Sequence, residues 1–244
     1  NSMAIPPYFA AKDGMLAIAG HSVAHWAEVA GDTPFFIYDK NIIAQRIAEL
    51  CAAMPAKVEL HYAIKANPMR DLVNYIAPLV DGLDVASAGE LEIALASGMI
   101  TENISFAGPA KRDRELRAAV RAGITINIES EGEFARLAAI GRELQIQPIA
   151  AVRVNPSFEV RASGIDAERV PALLAQFAEA HVRFEGFHIF SGSQNLSAEA
   201  IIDAQSKTFA LAAELAQYAP SPVRTLNIGG GFGIAYFPND HALD

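Results

Sequence analysis

Lys65 ends the run His61-Tyr62-Ala63-Ile64-Lys65-Ala66-Asn67-Pro68, where a charged amine beside apolar residues is costly unless it has a task. Read with period two, Leu60, Tyr62 and Ile64 point one way and His61, Ala63 and Lys65 the other, so the amine shares its face with a small residue. That face has room for a ligand. Taken alone, such a lysine reads as a side chain snorkelling out of a strand end. Two further elements change the reading. Gly186-Phe187-His188-Ile189-Phe190-Ser191-Gly192-Ser193-Gln194 and Leu226-Asn227-Ile228-Gly229-Gly230-Gly231-Phe232-Gly233 are each an apolar strand breaking into small residues. Three consecutive glycines let backbone N–H groups approach an anion with no Cβ in the way, as a phosphate cradle requires. A lysine, a His-x-x-Ser-Gly-Ser and a triple-glycine turn in this order are more specific together than any one of them.

The elements that must position these groups follow a βα rhythm from residue 34 onward, the mark of a parallel sheet. The pattern predicts eight strands: Phe35 to Asp39, Val58 to Lys65, Gly82 to Ser87, Ile104 to Gly108, Thr125 to Glu129, Ile149 to Asn155, Phe184 to Phe190 and Thr225 to Ile228. Helical patterns fill the intervals, from Lys40 to Ala53, Arg70 to Ala77, Ala88 to Ser97, Asp113 to Ala122, Ser130 to Leu144, Asp166 to Ala180 and Ala198 to Tyr218. Ser130 with Glu133 forms a capping-box pattern at one helix start. Eight strands with intervening helices predict an α/β TIM barrel, with a doubly wound open sheet as the alternative. With the apolar alternates facing outward, the inward set at the strand ends is Lys65, Asp84 with Ala86, Asn127 with Glu129, Arg153 with Asn155, His188, and Asn227 with Gly229. A purely structural barrel would carry Val, Ile and Leu there, so this rim is expected to hold a ligand. Lys111, which opens into the basic helix bearing Arg112, Arg114 and Arg117, is the competing amine and reads most simply as part of a solvated face.

Composition sets the bounds. The 244 residues, 52% hydrophobic and 19% charged, suffice for one large core or one and a half. A formal net charge of −9 argues against a nucleic-acid or anionic-membrane surface, so local geometry must hold any phosphate. The single cysteine, Cys51, excludes an internal disulfide, reads as a core filler in a helical run and suits a reducing cytoplasm. Neither a membrane span nor a signal peptide is indicated.

Tyr62-Ala63-Ile64-Lys65-Ala66-Asn67, Gly82-Leu83-Asp84-Val85-Ala86-Ser87 with Glu90, His188 to Gln194 and Gly229 to Gly233 resemble the fold-type III pyridoxal-phosphate decarboxylases, the group of the ornithine, diaminopimelate and arginine/carboxynorspermidine enzymes. The wording from His188 to Leu196 most resembles the exosortase-associated branch. The resemblance implies a TIM barrel of the alanine-racemase-like type over residues 33–244. Residues 1–32 are then a segment of a β-rich second domain whose remainder lies outside this sequence.

The implied cofactor is pyridoxal 5'-phosphate, with no metal. Lys65 and His188 are the implied catalytic residues: Lys65 forms the Schiff base and His188 stacks on the pyridine ring. Ser191 and the Gly229, Gly230 and Gly231 amides hold the phosphate, Asp84 and Arg153 line the pocket, and Glu90 is a supporting helix first-turn residue. A Schiff base needs a neutral amine, so Lys65 is expected to be desolvated in an enclosed barrel mouth. The implied reaction is α-decarboxylation of a basic, diamino or carrier-linked amino acid by a cytoplasmic homodimer with shared active sites. An amino-acid racemase is the alternative, although Pro68-Met69 follow Asn67 where racemases continue Ala-Tyr-Gly. A catalytically inactive pyridoxal-phosphate-binding regulator is another.

Overall fold

The computed structural model describes residues 8–156, 163–192 and 197–230. The chain forms two compact units, residues 1–60 and 61–244. The first contains β1 (Ala10–Lys12), β2 (Met15–Ile18), β3 (His21–Ser22), α1 (Val23–Ala30) and α2 (Lys40–Ala53). Its strands pair antiparallel in the order β1-β2-β3. Asp13-Gly14 and Ala19-Gly20 connect them with positive φ at both positions, the backbone hand that suits two-residue hairpins. Ser22 caps α1 by accepting from the His25 amide, and Asp39 caps α2 by accepting from the Asn41 amide.

Two expectations fail in this unit. Residues 35–39 carry no strand hydrogen bonding, and Phe36 is 90% exposed. An alternating run becomes a strand only where a neighbouring edge takes up its N–H and C=O groups, which periodicity alone cannot reveal. Cys51 is exposed, because α2 buries none of its side chains.

The second unit contains β4 (His61–Ala63), α3 (Arg70–Ile76), β5 (Gly82–Val85), α4 (Ala88–Ala96), β6 (Ile104–Phe106), α5 (Asp113–Ala122), β7 (Thr125–Ile128), α6 (Glu131–Leu144) and β8 (Ile149–Asn155). It continues through β9 (Ile165–Asp166), α7 (Val170–Leu174), β10 (Arg183–Ile189), α8 (Ala198–Ala216) and β11 (Thr225–Asn227). Its sheet runs β11-β10-β8-β7-β6-β5-β4, every pair parallel, with β9 paired to the end of β8. This is a curled half-barrel of α/β type in which seven of the expected strands stand in sequence order. The expected helix from Asp166 to Ala180 is instead β9, a short 3-10 turn and α7, with Pro171 in the first turn of α7.

Strand alternation decides which residues face the helices. Leu83, Val85, Ile104, Phe106, Ile126, Ile128, Val152, Val154, Phe187 and Ile189 are each at most 1% exposed and form one core with residues of α3 to α8. The other face of the same strands carries Asp84, Asn127, Arg153 and His188. Burying a Leu- or Ile-sized side chain contributes roughly 1.5–3 kcal/mol, so a one-residue slip of register would expel a whole set of these contacts.

Candidate active site

On the inner face, hydrogen-bonding register places residues from distant parts of the chain side by side. His188 of β10 is the lateral partner of Arg153 on β8 and of Asn227 on β11. Glu129 follows directly after β7 and binds the Arg153 guanidinium through Arg153 Nη1, so the row reads Glu129, Arg153, His188, Asn227. A second row joins Ala63, Asp84 and Ser105 across β4, β5 and β6. There Asp84 Oδ1 accepts from Ser105 Oγ at 2.8 Å and lies 3.2 Å from His61 Nδ1.

Lys65 does not sit in a strand. β4 stops at Ala63, and Lys65 occupies the 3-10 turn Ile64–Ala66. Ile64 is fully buried and anchors the turn, Tyr62 Oη donates to the Asn67 carbonyl at 3.0 Å, and Asn67 Oδ1 accepts from the Met69 amide at 3.1 Å. The lysine itself is exposed, a correction to the expected enclosure. An anchored turn thus presents an exposed amine at the strand end.

The triple-glycine turn divides into two roles. Gly229 has φ of 67°, and its amide donates to Asn227 Oδ1 at 2.8 Å. A Cβ there would stand 2.3 Å from the Phe190 ring, so Phe190 packs directly on this glycine and ties the end of β10, with Ser191, to the turn after β11. The Gly229 amide is thus occupied within the turn. Gly230 has open space where a Cβ would stand. Gly231 lies outside the described residues, as do Ser193 and Gln194. Ser191 is half-buried beside the turn. Glu90 takes the supporting place expected of it: Ser87 caps α4 by accepting from the Glu90 amide, and Glu90 Oε2 accepts from Ser87 Oγ at 3.2 Å.

Lys111 is where sequence reasoning erred. It is 3% exposed, and its Nζ donates to Gly108 O at 2.8 Å, Asn127 O at 2.7 Å and Glu133 Oε1 at 2.9 Å. An ammonium has three protons, so these bonds saturate it and leave Glu129 Oε2, at 3.7 Å, with attraction but no hydrogen bond. Ser130 does cap α6, yet the Glu133 side chain turns inward to Lys111 and the Glu129 amide instead of closing the capping box. One signal was available: Glu129 and Asn127 belong to the inward set, and a buried carboxylate needs a cation.

Electrostatics collect at His188. Burial pushes its imidazole down to about 4, Arg153, Lys111 and Lys65 push it the same way, and Asp84 opposes them. Four buried polar atoms on neighbouring strands lack a hydrogen-bond partner among the described residues: Asn127 Nδ2, Arg153 Nε, Asn155 Oδ1 and His188 Nδ1. A buried group left unpaired costs about 1–3 kcal/mol, so their clustering on one face marks a surface shaped to receive a polar ligand. Of the three cations bearing on it, Arg153 and Lys111 are paired with Glu129 and Glu133, which leaves Lys65 as the one without a carboxylate partner among the described residues. Among the described residues no group of His, Cys, Asp and Glu is arranged to hold a metal ion.

Comparison with known proteins gives a consistent picture. The family model described as pyridoxal-dependent decarboxylase, pyridoxal binding domain, matches residues 40–244. Diaminopimelate decarboxylase of Aquifex aeolicus is 33% identical over 251 residues, covering 96% of this chain and 58% of that protein. L-glutamyl-[BtrI acyl-carrier protein] decarboxylase of Niallia circulans is 30% identical over 226 residues, covering 87% of this chain and 53% of that protein. Among solved structures, an Aquifex aeolicus protein superposes with a TM-score of 0.86 at 34% identity, over 97% of this chain and 58% of that one. Diaminopimelate decarboxylase of M. jannaschii in complex with L-lysine gives 0.81 at 26% identity, over 96% and 58%. The chain spans a little over half the length of these relatives.

Proposed function

This chain belongs to the pyridoxal-dependent decarboxylases, and we propose that the whole protein removes CO₂ from the α-carbon of an amino acid, with pyridoxal 5'-phosphate bound on the inner face of the sheet. The observation that carries this reading is the row Arg153, His188, Asn227, in which the buried Arg153 Nε has no partner among the described residues and suits a polar anionic ligand, beside the buried His188 ring. When bound, the cofactor supplies an electron sink for the pair left on the α-carbon as CO₂ departs.

The remaining work falls to side chains. Lys65, exposed on its anchored turn, is the amine that holds the cofactor covalently. His188, kept neutral by burial and by the cations around it, presents a flat uncharged face for stacking. Ser191 and the amides of Gly230 and Gly231 hold the phosphate, while Gly229 shapes the turn through Asn227. Asp84, fixed by Ser105, and Arg153, fixed by Glu129, line the pocket. Residues 1–32 are read as part of a second, β-rich domain, which the antiparallel meander β1-β2-β3 supports. The protein is read as cytoplasmic, and as a homodimer that shares its active sites.

The substrate class is a diamino, basic or carrier-linked amino acid, since the relatives are named for diaminopimelate and for glutamyl carried on an acyl-carrier protein. The test is to incubate full-length protein and pyridoxal phosphate with amino acids of each class, following CO₂ release and optical activity together. CO₂ release without racemisation is expected. Racemisation without CO₂ would point to the racemase reading, and silence on every substrate to a noncatalytic homologue.

A further inference from the structure

At Glu129 and Arg153 the row of site residues joins a little-exposed cluster of four charges: Lys111, Glu129, Glu133 and Arg153. Their side chains are 1%, 5%, 2% and 18% exposed, and the formal charges cancel. Lys111 spends all three protons on Gly108 O, Asn127 O and Glu133 Oε1, which fixes it to the ends of β6 and β7 and to the first turn of α6. Glu133 Oε1 in turn accepts from the Glu129 amide at 3.3 Å and so fixes the backbone from which the Glu129 side chain springs. Glu129 Oε2 faces the Lys111 ammonium, and Oε1 binds Arg153 Nη1. Each member is thus held by the one before it, and the last, Arg153, is the lateral partner of His188. A saturated Lys111 has no free donor for a ligand, so the cluster is not a second binding site.

We infer that Glu129, clamped by Lys111 and Glu133, is a positioning residue that holds the Arg153 guanidinium beside His188 and thereby sets the charge and orientation of the inner face that receives the cofactor. Glu129 is buried, meets the site through Arg153 among the described residues, and has one carboxylate oxygen toward each cation. A planar guanidinium gripped through one nitrogen keeps its Nε aimed away from the grip, and Arg153 Nε is a buried atom without a partner among the described residues. This inference rests on the proposed cofactor site for its meaning but not for its measurement.

The measurement is the titration of His188, followed by NMR of its ring C–H in full-length, cofactor-free protein. The charged groups bearing on His188 are Arg153 on β8, Asp84 on β5, Lys111 before α5 and Lys65 after β4. If Glu129 acts by holding Arg153, Glu129→Gln releases the guanidinium toward solvent, and the His188 pKa should rise by about one unit as a neighbouring like charge departs. Glu129→Asp keeps the charge balance and guards against a variant that does not fold. Being one methylene shorter it cannot hold Arg153 in place, so it should raise the His188 pKa too. Arg153→Met should reproduce the rise, and adding Glu129→Gln to it should change nothing further.

A purely electrostatic role predicts the opposite sign, because loss of a nearby negative charge with Arg153 unmoved lowers the pKa in Glu129→Gln and leaves Glu129→Asp near wild type. That pattern, or a His188 pKa unchanged in both variants, overturns the inference. With pyridoxal phosphate as probe, Glu129→Gln should weaken retention about tenfold, and not at all in the Arg153→Met background. A wild-type protein that fails to retain the probe defeats the proposed function, while the cofactor-free titration still decides the role of Glu129.

Discussion

At the scale of the residue, two adjacent glycines with the same side chain have different reasons to be glycine. Gly229 sits at positive φ with the Phe190 ring where a Cβ would go, whereas Gly230 faces open space. Gly229→Ala should therefore destabilise the fold by about 2–3 kcal/mol, from strained backbone plus a clash with an aromatic ring. Gly230→Ala should leave stability within about 0.5 kcal/mol and act on phosphate retention alone. Denaturant titration and cofactor equilibrium dialysis of both variants separate the two. Sequence reasoning found both glycines as one anion cradle; it could not see that Asn227 Oδ1 already takes the first amide.

At the scale of the element, lateral register decides what meets what. The row Arg153, His188, Asn227 exists because β10 is slotted between β8 and β11, and a bulge at Phe184/Gly186 adjusts its pairing with β8. Gly186 is the close point of that slot, since a Cβ there would lie 1.8 Å from the Thr225 carbonyl oxygen. Backbone cannot yield as a flexible side chain can, so Gly186→Ala should push β11 away and cost about 2–4 kcal/mol. Amide hydrogen exchange at Thr225–Asn227 should rise while β5 to β7 stay protected.

Strands were legible wherever an apolar, β-branched run met an inward polar residue, which is why Asp84, Arg153 and His188 could be placed on one face from alternation alone. The run at 35–39 shows the limit, because pairing depends on a neighbour that no local pattern specifies. Lys111 shows another. Its three partners come from Gly108, Asn127 and Glu133, and only the fold brings those together.

At the scale of the whole molecule, the site is built from groups that folding places at a cost, and that cost depends on pH. An unfolded histidine titrates near 6.5 while native His188 is held down to about 4, so between these values the unfolded chain binds more protons than the native one. Stability from this group is fully present above about 6.5, falls as pH drops toward 4 and levels off below, a total of up to about 3 kcal/mol. Full-length cofactor-free protein should lose about 2 kcal/mol between pH 7 and pH 5 from His188, and His188→Phe should flatten that part of the profile. An identical pH profile in the variant would show that His188 is not the group responsible.

We propose that the amine on the turn after β4, and not the buried amine before α5, carries the cofactor. Lys65 is exposed on an anchored turn, while Lys111 is saturated by three acceptors and sealed at 3% exposure. Borohydride reduction of full-length protein loaded with pyridoxal phosphate, followed by peptide mapping, reads this directly. A single reduced pyridoxyl group on Lys65, abolished by Lys65→Ala, is expected, whereas label on Lys111 with Lys65 unmodified would contradict the assignment of Lys65.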